Sequence, residues 1–224
     1  MNIIKTTILT LCIYCPAFAT PILSENFNDI STLAGSGWVL INNSSPLGTT
    51  DWFQGLPGVF PAQSGAVDYY IAANFLNADA GGNISNWLIS PQMVLNNGDT
   101  ISFYTRSNGL FEDRLEVRLS AGGASAGGTA ASVGDFTTLL TTVNPLLSGS
   151  YPSDWTLVTV TVSGLGGPAV SRVALRYALE DSNVNGDYIG VDTFLAESSV
   201  PEPGSLILMS FGLAALGVYR RRVR

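Results

Sequence analysis

Arg172-Val173-Ala174-Leu175-Arg176-Tyr177-Ala178-Leu179-Glu180 is the stretch on which the fold turns. Val173, Leu175, Tyr177 and Leu179 fall on one side, with Arg172, Arg176 and Glu180 on the other. Successive side chains of a strand point to opposite faces, so this pattern predicts a strand with one face in a core and one in water. Outward from it the pattern recurs. Residues 113–120 set Leu115, Val117 and Leu119 against Arg114, Glu116 and Arg118, and residues 155–162 set Val158, Val160 and Val162 against Thr159 and Thr161. Between residues 21 and 197 no segment sustains a 3.6-residue apolar period. The chain is predicted to be all-β.

Turn chemistry joins these strands. Asn97-Gly98 separates residues 87–95 from residues 100–106, and Asn-Gly readily supplies the positive φ of a tight hairpin. Residues 181–187, with Asn185-Gly186, connect 172–180 to 188–195, which are expected to form an antiparallel pair. Residues 121–134 are almost entirely Ala, Gly, Ser and Thr. Such a segment brings too little surface of its own to hold one conformation, which predicts a flexible loop between strands. A phosphate cradle would need a following lysine and a strand-to-helix context, and neither is there.

The two ends read as targeting segments. Residues 1–19 carry one charge, Lys5, an apolar run from Ile8 to Tyr14, and Ala17-Phe18-Ala19, which predicts a signal peptide cut between Ala19 and Thr20. Both cysteines, Cys12 and Cys15, leave with it, so the mature protein has no disulfide and no thiolate metal site. At the other end, Pro201-Glu202-Pro203 precedes a charge-free apolar run, residues 205–219, and then Arg220-Arg221-Arg222-Val223-Arg224. Prolines break any helix before the run, and the arginines favour the cytoplasmic side of a membrane. The run is apolar on every face, which suits lipid better than a globular core. At 15 residues it is shorter than the roughly 20 of a full bilayer span, and arginine snorkelling would help close the gap. This order resembles the PEP-CTERM sorting signal of Gram-negative bacteria that make exopolysaccharide. The resemblance implies a short transmembrane helix held transiently in the inner membrane and processing by an exosortase-type peptidase after signal peptidase has acted. The chain is thus expected to divide into a signal peptide (1–19), a β-sandwich domain (20–199) and a sorting tail (200–224).

Composition narrows the chemistry. Residues 20–200 hold five arginines, no lysine and sixteen carboxylates, a net charge of −11. Such a surface repels nucleic acid, which is not expected as a partner. It suits solubility, or the collection of Ca²⁺ through carboxylates. There is no histidine, so neither a Ser-His-Asp nor a Cys-His arrangement can form, and imidazole-ligated zinc is excluded. A carboxylate-dependent glycosidase would need two carboxylates facing each other across a cleft. Glu112-Asp113 and Glu180-Asp181 are adjacent pairs whose side chains diverge on a strand, so an enzyme is not expected.

Across residues 23–195 the body resembles the choice-of-anchor J domains, relatives of cleaved adhesin and MAM-type sandwiches. The resemblance is carried by Glu25-Asn26-Phe27, Gly37-Trp38, Asp51-Trp52-Phe53-Gln54-Gly55 and Ile84-Ser85-Asn86-Trp87-Leu88-Ile89-Ser90-Pro91. Tyr70-Ile71-Ala72-Ala73-Asn74-Phe75, Asp113-Arg114-Leu115-Glu116-Val117-Arg118 and Gly186-Asp187-Tyr188-Ile189-Gly190-Val191-Asp192 complete it in order. It implies a jelly-roll β-sandwich of the galactose-binding-like type. It also implies a structural Ca²⁺ between Glu25, near the first strand, and Asp192, on the last. Asp192 shares a face with Tyr188, Gly190 and Phe194, and a carboxylate between apolar neighbours calls for a partner.

Trp38, Trp52, Trp87 and Trp155 are large for this domain and read first as core. Trp52 and Phe53 have a second reading: in a loop rich in Gly and Pro they would offer a flat apolar face to a sugar ring. Together these features predict an exported protein at the cell surface or in the extracellular matrix, a structural or adhesive component associated with exopolysaccharide. A carbohydrate-binding module is the alternative.

Overall fold

Alternation along the strands resolves into two facing antiparallel sheets. The computed structural model describes residues 19–199, which hold thirteen strands and two single-turn 3-10 helices. The signal peptide, Pro201-Glu202-Pro203 and the expected C-terminal helix lie outside the described residues. No helix among the described residues is long and apolar enough to cross a membrane.

One sheet runs β11 (Thr156–Thr161), β8 (Thr100–Ser107), β13 (Tyr188–Glu197), β5 (Ile71–Asn74), β4 (Phe53–Gln54), with β1 (Pro21–Glu25) also on β13. The other runs β10 (Thr138–Val143), β9 (Leu115–Ser120), β12 (Ala169–Leu179), β6 (Ala78–Ile89), β2 (Val39–Asn42). Onto this second sheet β3 (Ser45–Leu47) adds at β6 and β7 (Met93–Leu95) at β12. The result is an all-β sandwich consistent with a jelly roll. The stretch quoted first is the middle strand of its sheet: β12 pairs β9 on one edge and β6 on the other. Val173, Leu175, Tyr177 and Leu179 enter the main core with Leu115, Val117 and Leu119, as expected.

Two expected pairings do not form. β7 pairs β12, and β8 pairs β11 and β13, so Asn97-Gly98 carries the chain from one sheet to the other. Its turn chemistry is as read, with Gly98 at φ +98 and the Asp99 N–H donated to the Asn96 carbonyl at 3.2 Å. β12 and β13 likewise belong to different sheets, so residues 180–187 bridge the open end of the sandwich rather than closing a hairpin. Local turn residues fix the bend; the partner is chosen by which face the flanking strands must bury.

The outer face of β12 is not wet. Arg176 is 8 % exposed and stacks over the Trp87 ring with its Cζ 5.0 Å from the centroid. It donates to Ser85 Oγ at 3.0 Å and to Glu116 Oε2 at 3.2 Å. The cover is the Gly/Ala/Ser segment expected to be flexible. It lies across Trp87; Phe136 packs on the ring with centroids 5.4 Å apart, and Ala124 and Val133 pack against the cluster that holds both. A Cβ at Gly127 would stand 2.5 Å from Trp87 Cγ, so glycine there allows the backbone to lie on the indole. The loop needs no surface of its own because Trp87 and Phe136 supply it.

Candidate functional site

Strand direction gives the sandwich two unlike ends. β13 runs from Tyr188, opposite Asn74 and beside Ser107, to Glu197, opposite Thr100 and Pro21. Ten residues at about 3.3 Å each put these ends about 30 Å apart. At the Glu197 end the chain termini of the domain meet. The Ser198 N–H donates to the Thr20 carbonyl at 2.9 Å, and the Ser199 N–H donates to Asp99 Oδ1 at 2.8 Å. Thr20, expected to be the first residue after cleavage, therefore lies beside Ser198.

The opposite end carries a cleft of about 490 Å³. Its walls are the single-turn helix Phe75–Asn77, the start of β6, the β8–β9 loop at Leu110 and Phe111, and the β12–β13 loop from Ser182 to Asp187. Phe75 is 43 % exposed and Phe111 57 %, and Leu110, Leu76 and Val184 are also open to solvent. Polar side chains among the lining are Thr49, Asp79, Ser182, Asn183, Asn185 and Asp187, and no Lys or Arg is among them.

These walls are tied together. The Phe75 N–H donates to the Asp187 carbonyl at 3.0 Å, and the Gly186 N–H to the Glu112 carbonyl at 2.8 Å. Asn74 caps the short helix through the Leu76 N–H at 3.1 Å, while the Thr49 N–H donates to the Leu76 carbonyl at 2.9 Å. Asp187 Oδ2 accepts the Leu110 N–H at 2.8 Å.

Behind them sits Asp113, fully buried. Its Oδ1 accepts from Tyr177 Oη at 2.6 Å and from the Asp187 N–H at 2.9 Å, and its Oδ2 accepts from Ser107 Oγ at 2.5 Å. Burial pushes its carboxyl up to about 6, against the three donors that favour the charged form. Asp113 is outside the cleft lining and acts through the loops it holds.

Neither expected ligand aromatic lies in the cleft lining. Trp52 is 4 % exposed and belongs to the main core, so the sugar-platform reading of Trp52 is corrected: its ring has no free face. Phe53 is half-buried in β4, packed edge-on against Tyr188 at 5.7 Å. It serves a second small core with Phe60, Tyr70 and Trp155 on the outer face of its sheet. Among the described residues the exposed aromatics are Phe75 and Phe111, neither of which is a candidate from sequence. Their signal is faint: two short apolar pairs, Phe75-Leu76 and Leu110-Phe111, without the alternation that marks a strand.

Asp192 is buried, and burial raises its pKa. Its Oδ2 accepts the N–H groups of Gln63 at 3.0 Å and Ser64 at 3.2 Å, and its Oδ1 accepts from Thr193 Oγ1 at 3.1 Å. The shared face with Phe194 is corrected too. Thr193 takes φ +51 at a break in the β13–β8 register, so Phe194 turns into the main core while Asp192 stays outside. Glu25 Oε1 accepts the Phe27 N–H at 2.8 Å. Among the described residues no three carboxylates converge on one point. A carboxylate has about four lone-pair sites, so both groups keep acceptor capacity for a cation beside these bonds.

Residues 199–223 match the PEP-CTERM protein-sorting motif, which marks the chain as one sorted to the cell surface. No curated protein matches the chain by sequence. The fold is similar to a cleaved adhesin domain of Lys-gingipain from Porphyromonas gingivalis, at 20% identity over 80% of this chain and 99% of that one, TM-score 0.53. Another cleaved adhesin domain of the same protein aligns at 20% identity over 79% and 97%, TM-score 0.49. A family 29 carbohydrate-binding module aligns at 14% over 84% and 99%, TM-score 0.42. What the first of these shows is the fold. The chain thus joins an all-β sandwich with the fold of a cleaved adhesin domain to a C-terminal PEP-CTERM sorting motif.

Proposed function

We propose that this is an exported protein whose tail is processed by exosortase, leaving the sandwich at the cell surface or in the extracellular matrix of a Gram-negative bacterium. There it serves as a non-catalytic structural or adhesive component associated with exopolysaccharide. The match of residues 199–223 to the sorting motif carries this reading. Its support within the fold is polarity: the described chain ends beside Thr20 and Asp99, at the far end of β13 from the cleft. The finer family reading, choice-of-anchor J, rests on the motifs from Glu25 to Asp192, and Ca²⁺ at Glu25 and Asp192 rests on the same resemblance.

Intact mass of the exported protein tests the sorting step. The expected product begins at Thr20 and ends at or near Pro201–Pro203; a mature protein ending at Arg224 would refute processing. The second reading, a carbohydrate-binding module, is favoured by one observation, an open cleft with two exposed phenylalanine rings.

A further inference from the structure

We propose that the cleft bounded by Phe75, Phe111, Val184, Asp79 and Asp187 is a binding site for a neutral glycan segment. This rests on the reading of the protein as a matrix-associated module and names the ligand class that module takes. Three properties of the cleft select that class.

The first is shape and surface. About 490 Å³ is within the range of small-ligand sites and accommodates a few sugar units. Phe75 and Phe111, with Leu76, Leu110 and Val184, gather exposed apolar surface in one cleft, as interaction sites do, and a pyranose presents C–H faces that pack on such rings. The second is hydrogen bonding. Asp79 Oδ1 accepts the Ala80 N–H at 2.9 Å and Asp187 Oδ2 accepts the Leu110 N–H. Each carboxylate therefore holds its place through one oxygen and can take sugar hydroxyls on the other. Asn183 and Asn185 add amides that both donate and accept. The third is charge. With two carboxylates and no cation in the lining, the site repels uronate, sulfate and phosphate groups.

Pre-organisation completes the case. Phe75 is fixed to Asp187, Gly186 to Glu112, and Asp187 to Asp113, so the two ring-bearing walls are set before a ligand arrives. Less ordering is then lost on binding. The cleft also lies at the end of the sandwich away from the residue that leads into the sorting motif, where a polymer can pass.

The test is binding of the exported protein to a panel of neutral glycans (glucan, galactan and mannan oligosaccharides and the producer's own neutral polysaccharide), with polygalacturonate as the acidic control. Neutral glycans are expected to bind, little affected by salt. Phe75→Ala and Phe111→Ala are each expected to weaken binding at least ten-fold; Phe111→Ala should leave the thermal midpoint unchanged, since that ring is mostly exposed, and Phe75→Ala should remain cooperatively folded. Leu157→Ser, on β11 away from the cleft, is expected to leave binding intact. Three results would each overturn the proposal: preference for polygalacturonate, no binding to any neutral glycan, or neutral binding that survives both phenylalanine variants. Direct binding of an apolar peptide, lost in both phenylalanine variants, with no glycan bound would overturn the proposal and reassign the cleft to a protein partner. Sorting is read separately by intact mass. A processed protein that binds no glycan sinks this inference alone, whereas a glycan binder that keeps its tail sinks the sorting reading alone.

Discussion

Asp113 offers the sharpest test of how the cleft is held. Its carboxyl titrates near 6 in the folded protein and near 3.8 when the chain is unfolded. Between those values the folded state carries the extra proton. The stability from Asp113 is therefore fully present below about pH 3.8 and is lost as pH rises through 6. A gap of about two pH units corresponds to about 3 kcal/mol. Other carboxylates titrate as well; Glu116 beside Arg118 and Asp29 beside Ser31 are shifted down, for example. Their contributions are common to wild type and to a variant at position 113, so they cancel in the difference.

Asp113→Asn is the perturbation. The amide keeps the shape and one acceptor oxygen for Tyr177 and the Asp187 N–H, and cannot titrate. Urea unfolding followed by tryptophan fluorescence, at pH 4 and pH 7, gives the stability gap between wild type and variant at each pH. The gap should favour wild type more strongly at pH 4, by about 2 kcal/mol of the full linkage, since pH 4 lies just above the unfolded value. A gap that stays the same within about 0.5 kcal/mol would refute the assignment of a raised, buried carboxyl. Asp113→Leu separates titration from hydrogen bonding: it strands Tyr177 Oη and the Asp187 N–H and should destabilise at both pH values by about 3 kcal/mol or more.

Two further outcomes follow from the fold. Gly127→Ala puts a methyl against Trp87 and should cost about 1–3 kcal/mol in chemical denaturation; a neutral result would mean that the loop is as loose as its composition suggests. If Glu25 and Asp192 hold Ca²⁺, millimolar Ca²⁺ should raise the unfolding midpoint, and the rise should vanish in Glu25→Ala with Asp192→Ala; an unshifted midpoint in the wild type would dismiss the cation.

The strands were legible wherever one face is buried by the opposite sheet. Leu115, Val117 and Leu119, like Val173 to Leu179, alternate because their neighbours point outward, and this local fact survives any choice of partner. Pairing was not legible in the same way. Asn97-Gly98 and Asn185-Gly186 signal a reversal of the chain, yet in a two-layer sandwich a reversal can close a hairpin or cross to the other layer with the same residues. Burial on the outer faces was hidden for a related reason. Arg176 alternates like a solvated residue, and what covers it is a segment whose composition carries no hydrophobic signal.

The same physics explains why the cleft was missed and the tail was found. Pro201-Glu202-Pro203 and the arginine cluster are contiguous, so their order is itself the signal, and the sorting motif matches there. The cleft draws short runs from segments spread over more than a hundred positions, with Phe75, Phe111 and Val184 among them. None has a periodic context. What marks them is exposure after folding, and exposure belongs to the packed sandwich. Trp52 shows the reverse: its loop composition suggested a surface ring, but an indole beside the main core gains more from burial than a loop position gains from solvent. In this chain the tail therefore states a destination locally, while the cleft exists only once β5, β8, β12 and β13 bring their loops together at one end of the sheets.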